Sequence, residues 1–179
     1  MIASTKSQNI IVLSMIVIGV ISGACLVSNT YSYDGSYALP RQLAVGLVDI
    51  QIANLDPSNE SINPGLVMVF NLKAPDFTNG RMTLTRLLAS VLLNNESIAY
   101  ETFQNVVPLS ERSVTAGYNK NLTVGSTVFE LVDKQILYDA SLSGNWTFDV
   151  TLTVSYYLFQ GTTGSWRVFN FVYEGYTPI

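Results

Sequence analysis

The stretch WTFDVTLTVSYYLF, residues 146–159, decides the fold class. Phe148, Val150, Leu152, Val154, Tyr156 and Leu158 fall on one side of an extended chain. Thr147, Asp149, Thr151, Thr153 and Ser155 fall on the other. Successive side chains of a strand point to opposite faces, so this alternation predicts one buried and one wet face, as antiparallel sheets have. Ser143-Gly144 before it reads as a turn. Residues 160–165 (QGTTGS) read as a hairpin loop, with 166–173 pairing back.

The same signal recurs upstream. Residues 43–53 (LAVGLVDIQIA) put Val48, Ile50 and Ile52 on one face, and 65–73 (GLVMVFNLK) put Leu66, Met68, Phe70 and Leu72 on one face. The stretches 54–64 and 74–80 are rich in Asn, Asp, Pro and Gly and break the pattern. Residues 82–93 give one or two strands, Asn94-Asn95 a hairpin turn, and 98–103 the return. Residues 107–120 are irregular, with a strand near 112–116, and 121–124 are extended. One helical signal stands out, at 127–138. Thr127 and Glu130 fit a capping box, and Val128, Leu131, Val132, Gln135 and Ile136 recur near a period of 3.6. Short strands, frequent turns and one short helix predict an all-β domain over 43–179. Its expected form is an antiparallel β-sandwich of the immunoglobulin or fibronectin kind.

Composition fits that reading. Only 12% of residues are charged, and the abundant Val, Thr, Tyr and Phe suit half-buried strands. Net charge is −4 over the chain. No Lys/Arg cluster occurs, so nucleic acid, held mainly through phosphate neutralisation, is not an expected partner. The 179 residues contain no His. That removes the commonest general base and the commonest transition-metal ligand together. A Ser-His-Asp or Cys-His arrangement cannot form. The scattered acids in turns read as solvated loop charges rather than a hydrolytic pair. No enzymatic activity and no cofactor are expected.

Residues 10–27 (IIVLSMIVIGVISGACLV) carry no charge. As a helix they extend about 27 Å, close to the roughly 30 Å of a hydrocarbon core. Lys6 precedes the run and the next basic residue is Arg41, so the expected topology is N-terminus cytoplasmic and domain outside. Three readings stand: an uncleaved transmembrane anchor, a signal peptide cleaved near Ser22-Gly23-Ala24, or a lipoprotein acylated at Cys25. A buried core helix does not fit, because the run is apolar all round. Gly19 and Gly23 form a GxxxG pair that lets two membrane helices approach closely. Residues 1–28 are thus the membrane or signal segment. Residues 29–42 (NTYSYDGSYALPRQ) are expected to be an irregular linker, with Tyr31, Tyr33 and Tyr37 in the headgroup layer or on the domain's flank.

The order of elements resembles the water-stress and hypersensitive-response domain of the late-embryogenesis-abundant family 2 proteins. The likeness runs from about Leu43 to Tyr176. It rests on Asn71-Leu72-Lys73-Ala74-Pro75 after the second strand, Asn94-Asn95 in a hairpin, and the helix at 127–138. In that family Asn-Pro directly follows the second strand. Here Asn63-Pro64 precedes it, and three residues separate Asn71 from Pro75. The resemblance implies a non-catalytic protective or binding role.

Candidate site residues are few. Asn59, Asn95, Asn121 and Asn145 head Asn-x-Ser/Thr sequons in or beside predicted turns. Asp56, Ser58, Asn59 and Glu60 offer oxygens to Ca²⁺ within one loop, although the same residue types are ordinary turn formers. Trp146, Trp166 and the Tyr-rich final hairpin form either core or a binding face. The expected partners are the lipid bilayer through 10–27 and envelope proteins. Two roles follow: a membrane-anchored binding or stress-protective module, or a structural envelope component such as a surface-layer-binding or filament stator protein.

Overall fold

The computed structural model describes residues 5–98, 103–158 and 163–176. A single helix, α1 (Thr5–Gln42), leads into antiparallel β structure. The strands are β1 (Ala44–Ala53), β2 (Gly65–Lys73), β3 (Met82–Leu93), β4 (Glu96–Ile98), β5 (Gln104–Val106), β6 (Ser113–Val114), β7 (Asn119–Thr127), β8 (Thr147–Leu158) and β9 (Thr163–Glu174). A second helix, α2 (Leu131–Ser143), lies between β7 and β8.

One sheet has the order β1-β2-β7 and the other β4-β3-β8-β9. Short strands β5 and β6 also pair with β3, so three brief pieces in tandem cover the edge of β3 away from β8. The alternation at 146–159 forms β8, whose Phe148, Val150, Leu152, Val154, Tyr156 and Leu158 are all buried. They share one apolar core with Leu66, Met68, Phe70 and Leu72 of β2. The hairpin expected at Asn94-Asn95 forms. Both residues have positive φ, 53° and 70°, a conformation Asn tolerates in tight hairpin turns. The strand expected over 98–103 and the loop at 160–165 fall partly outside the described residues.

Four local readings change. Val48 does not join Ile50 and Ile52. A bulge between Leu47 and Asp49 reverses the parity of β1, so Val45 and Leu47 pack inward before it, Ile50 and Ile52 after it, and Val48 points out. Residues 82–93, expected as one or two strands, form one, with a register shift between Leu84 and Arg86. The capping box at Thr127 does not form, because Thr127 still pairs with Gly65 and the Val128 N–H donates to the Pro64 carbonyl. Sheet pairing delays the helix to Leu131. Its face also turns: Ile136, Leu137 and Ala140 are buried, while Leu131 and Val132 are exposed. Gly144 ends it in the left-handed conformation at φ 70°.

The fourth change is the largest. Residues 29–42 are not an irregular linker but the last turns of α1, which runs 38 residues without a break. Gly35, Ser36 and Pro40 are poor helix interiors by propensity alone. Packing of this segment on the strands overrides that preference.

Candidate functional site

The helix–sheet joint is built from small residues. Ser32, Gly35, Ser36 and Leu39 recur on one face of α1 at helical spacing, and Ser36 and Leu39 are fully buried. The Gly35 and Gly80 backbones touch. A Cβ on Gly35 would stand 2.6 Å from Gly80 N, and one on Gly80 would overlap the Gly35 carbonyl. Only glycine at both positions permits this approach. The Arg81 N–H donates to Ser36 Oγ at 3.2 Å, and that hydroxyl donates to the Ser32 carbonyl at 2.8 Å. At the helix end, Arg167 of β9 donates to the carbonyls of Pro40 and Leu43. A guanidinium there satisfies orphan carbonyls and suits the negative end of the helix dipole. Leu39 then reaches the core shared by both sheets.

Toward the N-terminus the same helix has no cover. Its most apolar window has a mean hydropathy of 2.8, and none of that window is buried. Cys25 is exposed on this part of the helix. Tyr31, Tyr33 and Tyr37 are exposed on its continuation, and Tyr33 donates to Tyr37 at 3.1 Å. Between this continuation and the β2–β3 loop lies a cleft of about 530 Å³, lined by Tyr31, Asp34, Ala38, Asp76, Phe77 and Asn79 among others. Phe77 is 95% exposed.

The four sequon asparagines are all exposed. Asn95 and Asn145 sit at turns, and Asn59 in the β1–β2 loop. Asn121 lies within β7 rather than at a turn, and its Oδ1 accepts from Asn71 Nδ2 at 2.8 Å. Several oxygens of the 56–60 loop already have protein partners. Asp56 Oδ1 accepts from Ser58 N and Oγ, Asn59 Oδ1 accepts from Ser61 N, and the Glu60 carbonyl accepts from Lys134 Nζ at 2.7 Å. The Ser58 hydrogen bonds hold the Asp56 carboxyl below its usual range. A buried ammonium beside the loop opposes a cation there. Among the described residues no group of three His, Cys, Asp or Glu could hold a metal ion.

The two tryptophans divide. Trp146 is core, 5.2 Å from the Tyr176 ring and 6.1 Å from Phe148. Trp166 is 68% exposed on the outer face of β9, beside exposed Val168 and Val172. Gly35, Ser36, Gly80 and Phe77 were not singled out by sequence reasoning. The spacing of Ser32, Gly35, Ser36 and Leu39 carried the signal, but the turn-forming composition of the segment masked it.

No family model matches the chain, and no curated protein matches it. Among the solved structures that the chain matches are two at low scores. One is a protein from Archaeoglobus fulgidus, with a TM-score of 0.42 and 11% identity, covering 75% of this chain and 99% of that one. The other is a protein described as late-embryogenesis-abundant, with a TM-score of 0.46 and 12% identity, covering 89% of this chain and 88% of that one. At these scores neither likeness assigns a family.

Proposed function

We propose that this chain is a single-pass membrane protein whose β domain stands outside the cytoplasm as a non-catalytic binding or stress-protective module. The observation that carries the reading is α1. Its N-terminal part is apolar on every side and uncovered, while its C-terminal part is docked on the strands. A helix bare of protein cover and rich in Ile, Val and Leu needs an apolar solvent. The charge-free run of 18 residues is longer than the 7–15 of a signal-peptide core, which favours retention over cleavage. Lys6 on the near side supports the outward orientation of the domain.

The two sheets sharing one core fit a β-sandwich. The strand order described for the sequence supports the protective role, and the missing histidine supports a non-catalytic one. The test of the anchor is alkaline extraction of membranes carrying the full chain, with the intact mass read by mass spectrometry. A membrane-retained chain of full mass is expected. Release into the supernatant, or a mass lacking the first 24 residues, would overturn the anchor. The protective role is tested by drying or heating a client enzyme with and without the reconstituted protein. Equal client losses in both samples would reject that role.

A further inference from the structure

We propose that the β2–β3 loop is a second membrane contact, with Phe77 and Tyr31 seated in the headgroup layer of the same bilayer that α1 crosses. The proposal rests on reading α1 as a retained span, and three observations carry it.

The first is height. The apolar run ends at Val27. Tyr31 follows by about 6 Å along the helix and Asp34 by about 10 Å. The headgroup region of one leaflet is roughly 5–8 Å deep. Tyr31 therefore lies within it and Asp34 just beyond it. Phe77 lines a cleft whose helix side runs from Tyr31 to Gln42, with Tyr31 at the end nearest the apolar run.

The second is rigidity. The loop is tied to the helix at its C-terminal end, where Gly80 is pressed against Gly35 and Arg81 N–H is bonded to Ser36 Oγ. Gly80 N–H also donates to Thr78 Oγ1 at 3.1 Å, which tightens the turn behind Phe77. The backbone that carries Phe77 is thus fixed to α1 three residues further on.

The third is chemistry. At 95%, Phe77 is the most exposed large apolar side chain among the described residues. Exposed apolar residues are common singly, but this one stands beside the emerging helix. Aromatic rings are favoured at the membrane–water interface. No Lys or Arg lines the cleft, while Asp34 and Asp76 do. The contact is thus aromatic and suited to zwitterionic headgroups, not a basic patch for anionic ones.

The test uses the full chain with Cys25→Ser, reconstituted in phosphatidylcholine vesicles. A polarity-sensitive fluorophore is placed on one introduced cysteine: Phe77→Cys, Ile18→Cys within the span, or Val132→Cys on the outer face of α2. Quenching by lipids carrying a headgroup-region nitroxide is then measured. At position 77 the emission is expected to shift to the blue, with quenching several-fold above that at position 132. Water-like emission at 77 with a lipid-buried signal at 18 would overturn this contact and leave the anchor standing. Water-like emission at both 18 and 77 would overturn the anchor reading and this one with it. Placing the label at Asn79 instead keeps both the Phe77 ring and the Thr78 hydroxyl, and water-like emission there with a lipid-buried signal at 18 would likewise overturn the contact.

Discussion

At the scale of single residues, the joint between α1 and the strands depends on two absent side chains. Gly80→Ala adds a Cβ where the Gly35 carbonyl already lies. Overpacking of this kind costs about 1–3 kcal/mol. The expected result is a lower urea midpoint for the detergent-solubilised chain and faster tryptic cleavage at Arg41. Lys134 is buried against the β1–β2 loop, donating to the Glu60 carbonyl and to Asn63 Oδ1. Lys134→Met leaves those acceptors without their donor and should cost about 1–3 kcal/mol in the same unfolding assay. Tyr118 gives a pH dependence. Burial, with the nearby Glu111 charge, pushes its hydroxyl up to about 12. The folded state therefore holds this proton more tightly than the unfolded chain does. Its stabilising share is intact below about pH 10 and is lost as pH rises toward 12. Unfolding midpoints should fall across that window, and Tyr118→Phe should flatten part of the slope. Little of this was legible beforehand. Val48 looks like a core residue in any alternation count, and only the unpaired position in β1 turns it outward.

At the scale of elements, strand alternation was the reliable signal and helix boundaries were not. β2 and β8 bury the side chains their period assigns, because burying one face fixes register against slips. Phe148→Ala should accordingly cost about 3–5 kcal/mol by denaturant unfolding. Trp166→Ala on the outer face of β9 should stay within about 0.5 kcal/mol. The Asn94-Asn95 turn was legible because its backbone demands residues that accept positive φ. Helix α2 was misplaced because Thr127 is claimed by a strand partner far away in sequence, Gly65. Local capping chemistry cannot report such a competitor. The same holds for 29–42, where tertiary packing converts a turn-rich segment into helix. A proline in the middle of that segment, Tyr33→Pro, should uncouple the apolar part of α1 from the strands. Broader angular distributions between spin labels on α1 and β3 would show it.

At the scale of the whole molecule, an apolar N-terminal helix followed by antiparallel strands was readable from hydropathy and alternation, whereas the joint between them was not. The residues of the cleft come from α1 and the 74–80 loop, which meet only once β3 has been placed beside the helix. That continuity sets a dimension. β3 starts next to Ser36 and ends twelve residues later beside α2, an extended length of about 40 Å. Helix and strands meet without slack, so the exposed Leu131, Val132 and Leu142 of α2 are carried at one distance from the end of α1. The molecule is a ruler: whatever meets its far end does so at a fixed distance from the end of the apolar helix.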